Sequence, residues 1–443
     1  MTPEKALQVL EAGERQLLAM TDAGWFQLDE GGKLCIARFV QDDALRRRRL
    51  QRYSFVDFER KFSTVKHFAS KLSLGKAWIE WSGKKSYDRV VFRPLETTDP
   101  NVLNLWEDFG VPEAPGGSSL RIQEHLQDVV CSGDTRHYRY LLAWMARLIQ
   151  KPGALGEVAV VLRGKEGTGK SVCGKILRRI LGQHALAVSS SKHVTGEFNQ
   201  HLADCVFLEA SEAFFAGDKA TYSKLKALIT EDTLTIERKG VDAVQWPNRL
   251  TIFITSNDPH VIQASPESRR YFVLEVSDKK RGDKKYFDAL HAEVDDPISL
   301  GHFLHVLLNL DLRGFDHRDF PEGSALFEQR ERSASGVIAW SLDLLARGGL
   351  LRTPKGEAPW RQFFATEELY NDYTLWVSGQ RYEKPLSRNL FVKDLKTQLG
   401  LSWLKRPGVS LEAPSWVREL PGIFLPDTLE AFEAIVQERA GLK

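Results

Sequence analysis

The sequence has few cysteines, and none of them are spaced for a metal. Its 443 residues contain four, Cys35, Cys131, Cys173 and Cys205, and no two form a Cys-x-x-Cys pair. A zinc site is therefore not indicated, and an even count in so long a chain does not imply disulfides. A reduced, intracellular compartment fits this cysteine usage better.

Long apolar runs and a targeting segment are also missing. No apolar stretch approaches the roughly 20 residues of a membrane span. Residues 1–5 (MTPEK) lack the basic-then-apolar pattern of a signal peptide. The sequence thus predicts a soluble, cytoplasmic protein with no membrane partner. A large charge of one sign is absent too, since the net charge is +2. Any nucleic-acid site must therefore be a local patch.

The composition is that of an ordinary globular protein, with 42% hydrophobic and 27% charged residues. The chain is too long for one hydrophobic core, so we expect several domains. Apolar strands alternate with helices in the middle of the chain, which predicts an α/β core with a parallel sheet. The expected segments are an α+β N-terminal accessory domain (1–120), a helical collar (121–155), the α/β core (156–278), a helical extension (279–347) and a small, mainly helical or winged-helix domain (348–443).

A phosphate-binding loop is the strongest single motif. It matches G-x-x-x-x-G-K-[ST] and comprises Gly164, Lys165, Glu166, Gly167, Thr168, Gly169, Lys170 and Ser171. An apolar strand precedes it and residues with helical spacing follow, as a nucleotide loop requires. There the backbone N–H groups and the helix dipole favour phosphate. We expect Lys170 to reach the β- and γ-phosphates of ATP and Ser171 to hold Mg²⁺. A glycine-rich turn with a surface lysine is the weaker alternative.

Acidic residues follow the apolar strand Cys205–Leu208. A nucleotide hydrolase needs carboxylates at such a strand end, for Mg²⁺ and for the attacking water. An adjacent acidic pair is absent, and the candidates are Glu209 and Glu212. We expect Glu212 to be the water-activating base and Glu209 to be a metal-side group. The alternative is that one of them is a solvated loop carboxylate.

Polar and basic residues flank two further predicted strands. Asn257 follows the strand at 249–255, where its amide could reach the γ-phosphate or the water, because α/β ligand sites lie at the carboxyl ends of strands. Arg269 and Arg270 precede the strand at 271–276, and either could act as an arginine finger across a subunit boundary. The alternatives are a turn residue for Asn257 and surface ion pairing for the arginines.

A basic hairpin is predicted at 234–242, with Arg238 and Lys239 at its tip. Cations on a protruding tip suit contacts with the DNA backbone, although a solvated turn is the alternative. The arginine run at 46–49 is interpreted as a charged helix or loop with a solvated face, and contact with DNA is the alternative.

Taken together, these motifs resemble the superfamily 3 helicases, and among them the phage and plasmid primase-helicase group related to the poxvirus primase-helicase. The resembling run covers about 156–278 and includes LKALITEDTLTIERKG at 225–240, ITSN at 254–257 and ESRRYFVLEVSD at 267–278. The resemblance implies an AAA+-like ATPase core. It also implies a hexameric homo-oligomer with ATP between subunits and a single DNA strand in the central channel.

The same resemblance implies a role for each matching residue. Those residues are Lys170 and Ser171 in the nucleotide loop, Glu212 at the second acidic position, Asn257 as the polar sensor, Arg269 or Arg270 as the trans-acting arginine, and Lys239 in the channel hairpin. The chain departs from the pattern where Ser211 stands at a usual aspartate.

The expected function is an ATP-dependent DNA helicase or translocase of phage, plasmid or mobile-element replication. Residues 1–130 contain no spaced carboxylate cluster that would predict a primase-polymerase domain. A separate primase or polymerase is therefore an expected partner. The first alternative is a nucleotide-gated initiator or loader that assembles on DNA without unwinding it. A small-molecule P-loop kinase ranks last, because it would not need the basic hairpin or the paired arginines.

Overall fold

The computed structural model describes residues 3–43, 47–189, 199–211, 219–238, 241–265, 269–334, 336–353, 356–361, 363–379, 385–407 and 419–442. Within these ranges no helix is both long and apolar enough to cross a membrane. All four cysteines are described, and no two of them form a disulfide.

An N-terminal unit is built on a four-stranded sheet in the order β3-β2-β1-β4. Its elements are α1 (Pro3–Asp22), β1 (Phe26–Asp29), β2 (Leu34–Asp42), β3 (Arg47–Tyr53), α2 (Phe55–Lys61), α3 (Leu74–Glu80), β4 (Ser86–Tyr87), β5 (Arg89–Val91) and β6 (Val102–Asn104). Trp25, Phe58 and Trp78 are buried together at its centre. Burying such large rings holds the helices on the sheet.

The arginine run does not form the helix or loop that we predicted. Residues 47–49 begin β3, which pairs antiparallel with β2 from Arg47 opposite Asp42 to Tyr53 opposite Ile36. Arg46 lies outside the described residues. Arg47 is buried and forms an ion pair with Asp204 of the core. The prediction failed because strand pairing and this distant carboxylate, neither visible locally, determine the conformation.

The segment before the core is helical but interrupted. It consists of α4 (Leu120–Glu124), a π-helical stretch at His125–Val130, and α5 (Thr135–Gln150). Asp134 caps α5 by accepting hydrogen bonds from the backbone N–H groups of Arg136 and His137. The helical pattern expected for 121–150 is therefore broken between the π-helical stretch and α5.

The core contains a five-stranded parallel sheet in the order β13-β7-β12-β9-β8. Its elements are β7 (Ala159–Arg163), α6 (Lys170–Leu181), β8 (Ala185–Val188), β9 (Phe207–Ser211), α7 (Lys219–Thr230), the β10–β11 hairpin (Thr233–Arg238 and Val241–Pro247), β12 (Thr251–Ser256) and β13 (Tyr271–Glu275). Every residue of β7 is buried, as expected for a strand covered on both faces. The predicted parallel sheet is present, and its carboxyl ends share one edge.

Three helices follow the sheet: α8 (Lys284–Asp295), α9 (Pro297–Asn309) and α10 (Ser324–Ser333). One hydrophobic cluster runs from Phe92 to Leu326 and includes α5, the sheet and these helices. The predicted collar and the first part of the predicted extension therefore share the core of the α/β segment.

A second hydrophobic cluster belongs to the C-terminal unit and runs from Val337 to Val436. The elements of this unit are α11 (Gly336–Ala346), β14 (Leu351–Thr353), β15 (Gly356–Ala358), β16 (Phe363–Ala365), α12 (Thr366–Ser378), α13 (Arg388–Leu399), β17 (Ser402–Pro407), β18 (Glu419–Phe424) and α14 (Leu429–Ala440). Its main sheet is antiparallel in the order β16-β18-β17. Since Trp340 of α11 lies in this cluster, the packing boundary precedes Gly336, whereas we expected it at 347/348.

Candidate nucleotide-binding site

The predicted phosphate loop connects the end of β7 to the start of α6. Three of its glycines have positive φ angles: 148° at Gly164, 77° at Gly167 and 92° at Gly169. L-residues rarely adopt such angles, which explains why glycine occupies these positions. The loop therefore turns tightly at the carboxyl edge of the sheet and presents the N-terminus of α6. Successive N–H groups in such a turn form an anion-binding concavity.

The lysine of the motif is folded back onto its own loop. Lys170 Nζ donates to the carbonyl oxygens of Gly164 at 2.7 Å and of Lys165 at 2.6 Å, and the residue is 8% exposed. Thr168 is buried and donates its hydroxyl to the Lys165 carbonyl at 2.9 Å. Ser171 is exposed at the start of α6. The loop thus satisfies its own ammonium group, while the hydroxyl proposed for a metal faces solvent.

The inner side of the loop rests on the buried ring of His125 and the half-buried ring of Phe287. His125 is fully buried, with Nε2 3.2 Å from the Gly169 carbonyl oxygen and Nδ1 3.0 Å from the Tyr286 hydroxyl. A Cβ added at Gly169 would lie 2.6 Å from His125 and 2.8 Å from Phe287. Burial lowers the pKa of His125 to about 4, so the ring is neutral near pH 7. His125 carries no local signal of this contact, because it lies 44 residues before Gly169 in the sequence.

Exposed contacts hold the outer side of the loop. Lys165 Nζ lies 2.7 Å from Asp278, and both side chains are more than half exposed. Arg281 donates from Nε to the carbonyl oxygen of Glu166 at 2.9 Å. The hydrogen bond from Lys165 lowers the pKa of Asp278. The segment after β13 therefore crosses the loop from the solvent side.

A cavity of about 520 Å³ opens beside this crossing. Its walls include Cys131, Ser132, His137, Val276, Asp278 and Ala325. They come from the turn before α5, the first turn of α5, the segment after β13 and the N-terminus of α10. The cavity is thus adjacent to Lys165 of the loop, which also lines it.

Arg163, the last residue of β7, is a second residue that the sequence analysis missed. It is 6% exposed, and it forms ion pairs with Glu275 of β13 and, at 2.6 Å, with Glu328 of α10. It also donates to the Pro259 carbonyl at 3.3 Å. Arg163 thereby ties the strand that leads into the loop to three other segments.

Glu209 does not reach the sheet edge. It lies two residues before Ser211, the end of β9, and is 2% exposed. Its Oε2 is 2.6 Å from Nε of Arg178 on α6, and a Cβ at Gly174 would overlap its carboxyl group. Burial raises the pKa of Glu209, while the Arg178 guanidinium lowers it. The metal-side role of Glu209 stays a prediction, but the carboxylate is engaged with α6.

Two other predicted site residues, one acidic and one basic, have no described position. Glu212 and Lys239 both lie outside the described residues. Among the described residues, no group of three or more His, Cys, Asp or Glu side chains could hold a metal ion. The roles of Glu212 and Lys239 therefore stay predictions.

Asn257 lies at the expected edge of the sheet. Ser256, the last residue of β12, pairs with Arg163, the last residue of β7. Asn257 follows directly and is exposed beside the start of the phosphate loop. The Thr255 hydroxyl of β12 donates to the hydroxyl of Ser211, the last residue of the neighbouring strand β9, at 3.4 Å. The polar residues at the end of β12 thus adjoin the loop.

Arg269 and Arg270 lie at the opposite edge. They precede β13, and the Arg270 carbonyl accepts a hydrogen bond from the N–H group of Ala159 at the start of β7. A five-residue strand at about 3.3 Å per residue separates them from the loop by roughly 16 Å. Within one chain, these arginines and the loop are therefore not brought together.

The predicted hairpin is present as β10 and β11, which pair antiparallel with an irregularity between Ile236 and Arg238. Asn199 anchors it by donating to the Thr235 carbonyl at 2.8 Å and accepting from the N–H group of Glu237 at 2.9 Å. Arg238 ends β10, next to the undescribed residues 239–240. No local motif identifies Asn199, because it lies 36 residues before its partner Thr235.

Comparisons with known proteins give a family match and a set of structural neighbours. A family model described as a family of unknown function, DUF5906, matches residues 162–270. The DNA primase-polymerase of Nitratiruptor phage NrS-1 is 24% identical over 225 residues, which cover 47% of this chain and 31% of that protein. The chain thus spans less than a third of that relative's length.

Solved structures of the NrS-1 C-terminal region share the fold of this chain. The apo structure of residues 305–718 superposes with a TM-score of 0.65 and 15% identity, covering 94% of this chain and 99% of that one. The A form of the same region gives a TM-score of 0.64, 15% identity, and coverage of 93% and 99%. The likeness therefore extends over both the α/β core and its flanks.

Proposed function

We propose that this protein is an ATP-dependent DNA helicase or translocase of phage replication, built on an AAA+-like core. One observation carries the proposal: a glycine-rich phosphate loop joins a buried central strand to a helix N-terminus at the carboxyl edge of a parallel sheet. Strand β7 lies between β13 and β12 in that sheet, so polar residues after β12 adjoin the loop. The relation to a phage DNA primase-polymerase supports a role in replication.

Residues of the loop would hold ATP and Mg²⁺. The positive φ angles of Gly164, Gly167 and Gly169 fit a loop that closes around phosphate oxygens. Lys170 would exchange its two loop carbonyl partners for the β- and γ-phosphates, and Ser171 would bind the metal. Mg²⁺ supplies charge neutralisation at the phosphates. The cavity beside Lys165 has a volume suited to the nucleoside part of the nucleotide.

Hydrolysis would need groups from three places. In this proposal Glu212 orients the attacking water and Asn257 senses the γ-phosphate. Arg269 or Arg270 comes from a neighbouring subunit, since within one chain both lie at the opposite edge of the sheet from the loop. An arginine supplied by a neighbouring subunit requires an oligomer. We propose that this oligomer is a hexameric ring with single-stranded DNA in its channel.

The β10–β11 hairpin would carry the DNA strand through Arg238 and Lys239. We also infer a winged-helix form for the C-terminal unit, because α11, β16, α12, α13, β17 and β18 occur in the order of that fold, with the β14–β15 pair inserted between α11 and β16. A separate primase or polymerase would act with this motor.

The decisive experiment is an ATPase assay with and without single-stranded DNA, run beside strand displacement on a forked duplex. Lys170→Ala should abolish both activities, because the phosphates lose the lysine proposed to contact them. Lys151→Ala, at an exposed lysine after α5, is the matched control and should behave as wild type. Full DNA-stimulated hydrolysis by Lys170→Ala would refute the proposal.

Two further readouts decide between variants of the proposal. DNA-stimulated ATP turnover without strand displacement would favour a nucleotide-gated initiator or loader, which the engagement of Glu209 with Arg178 makes worth testing. The native mass of the particle, measured with an ATP analogue and single-stranded DNA, tests whether the protein forms a ring. A monomer under every condition would remove the trans-acting arginine.

A further inference from the structure

A buried histidine contacts the phosphate loop at the peptide where the loop becomes a helix. Residue Gly169 is the N-cap of α6, and its carbonyl oxygen already accepts a hydrogen bond from the N–H group of Val172 at 3.0 Å. Nε2 of His125 approaches the same oxygen at 3.2 Å. His125 begins the π-helical stretch, an irregularity that is rare and often found at functional sites.

The partners of the ring determine its tautomer. A carbonyl oxygen can only accept a hydrogen bond, so Nε2 of His125 must carry the proton that bridges to Gly169. Nδ1 is then an acceptor, and the Tyr286 hydroxyl 3.0 Å away donates to it. Tyr286 lies on α8, after the sheet, whereas His125 lies before it. The contact therefore joins two segments that flank the core.

The peptide between Gly169 and Lys170 transmits this contact to the anion side. In a planar trans peptide, the C=O and the N–H point in opposite directions. Holding the Gly169 carbonyl towards His125 therefore directs the Lys170 backbone N–H away from the buried ring, into the concave side of the loop. The rings of His125 and Phe287 also fill the space of a Gly169 side chain, so the peptide has little room to rotate.

We propose that His125 is a positioning residue for nucleotide phosphates, which fixes the Gly169–Lys170 peptide so that its N–H group faces the phosphate, with Tyr286 holding the required tautomer. This inference rests on the proposed ATP-binding role of the loop. It assigns a function to two residues that lie outside the matched segment 162–270.

Two substitutions at one position separate a hydrogen bond from simple packing. The amide nitrogen of glutamine stands where Nε2 stands in histidine, and that of asparagine stands where Nδ1 stands. His125→Gln therefore keeps a donor for the Gly169 carbonyl, and His125→Asn loses it. We expect His125→Asn to weaken binding of a fluorescent ATP analogue about tenfold, the loss typical of one buried hydrogen bond. His125→Gln should stay within about twofold of wild type.

Tyr286→Phe is the variant that leaves His125 in place. Without the hydroxyl donor, the ring proton can move to Nδ1, so we expect weaker binding of the same analogue, by about threefold. Thermal unfolding of each variant reports whether the fold persists. In ATPase assays the loss should appear in KM more than in kcat, since the contact acts on phosphate binding.

The outcomes distinguish the inference from the proposed function. Weak binding by His125→Asn with rescue by His125→Gln supports it. Equal affinity of wild type, His125→Asn and Tyr286→Phe overturns it while leaving the ATPase proposal intact. Equal weakening in His125→Asn and His125→Gln also overturns it, because packing rather than the donor would then matter. A wild-type protein that binds no ATP analogue overturns both.

Discussion

The two sides of the phosphate loop are held by different kinds of contact. On the inner side, the loop contacts His125, and the helix that follows it, α6, packs with its buried residue Gly174 against the Glu209 carboxyl group, which forms an ion pair with Arg178. On the outer side, Lys165 and Asp278 form an ion pair in solvent. Removing one partner of a buried ion pair strongly lowers the stability of the fold, whereas an exposed ion pair contributes little to stability. The comparison teaches that the loop is held in place mainly from beneath.

The largest effect should come from removing the buried cation. Arg178→Met leaves the Glu209 carboxylate buried without its counter-charge, and we expect unfolding stability to fall by about 2–3 kcal/mol. The value lies below that of a fully buried pair because the Arg178 side chain is 37% exposed. Lys175→Met removes a cation from the same helix that pairs with the exposed Asp295, and it should change stability by less than about 1 kcal/mol. Urea denaturation measures both.

The same variant should show a distinct pH dependence. Burial already raises the pKa of Glu209, and loss of Arg178 raises it further. An acid with a raised folded pKa stabilises the fold below its unfolded pKa, and this stability is lost as pH rises through the folded pKa. Arg178→Met should therefore be closer to wild type near pH 5 than near pH 8. A deficit that does not change with pH would show that Glu209 is not the group left unpaired.

A smaller effect is expected at the glycine that accommodates Glu209. Alanine normally stabilises a helix interior by about 1 kcal/mol relative to glycine. At Gly174 the added methyl group would overlap the carboxyl group, so we expect Gly174→Ala to lower stability by about 1–2 kcal/mol instead. In a Glu209→Ala background the same change should be neutral or favourable. A double-mutant cycle measures the coupling, and strictly additive effects would contradict the close packing.

The smallest effect should come from the outer pair. Lys165→Met removes an ion pair whose two side chains are 66% and 53% exposed. We expect unfolding curves at low and at high salt to match wild type within error, because solvent and salt screen such a pair. A loss as large as that of Arg178→Met would mean that both sides hold the loop equally, which would remove the contrast.

Local patterns predicted much of the core. The apolar strand expected before the phosphate loop is present as Ala159–Arg163, and the helix begins at Lys170 as the motif requires. The run expected as a strand at 205–208 is displaced to Phe207–Ser211, because pairing with β12 rather than apolar content sets its end. Strand, turn and helix signals are short-range, so a sequence alone can carry them.

The contacts that give the site its shape could not be predicted in this way. Arg178 and Glu209 lie 31 positions apart, and His125 lies 44 positions before Gly169. Each contact exists only because parallel strands and their crossover helices bring distant segments together. A lone buried histidine or arginine carries no local signal of its partner. The same reason explains why the arginine run at 46–49 was assigned to a helix or loop.

The hydrophobic cluster from Phe92 to Leu326 has a consequence for modularity. The segment that matches a family model, 162–270, ends well inside that cluster on both sides. Transplanting this segment into another protein would expose the faces that α5 and α9 cover. Recombination could exchange the C-terminal unit, with its separate cluster, far more readily than the segment that carries the phosphate loop. The segment that must stay together to keep this core intact is therefore longer than the segment recognised by its motifs.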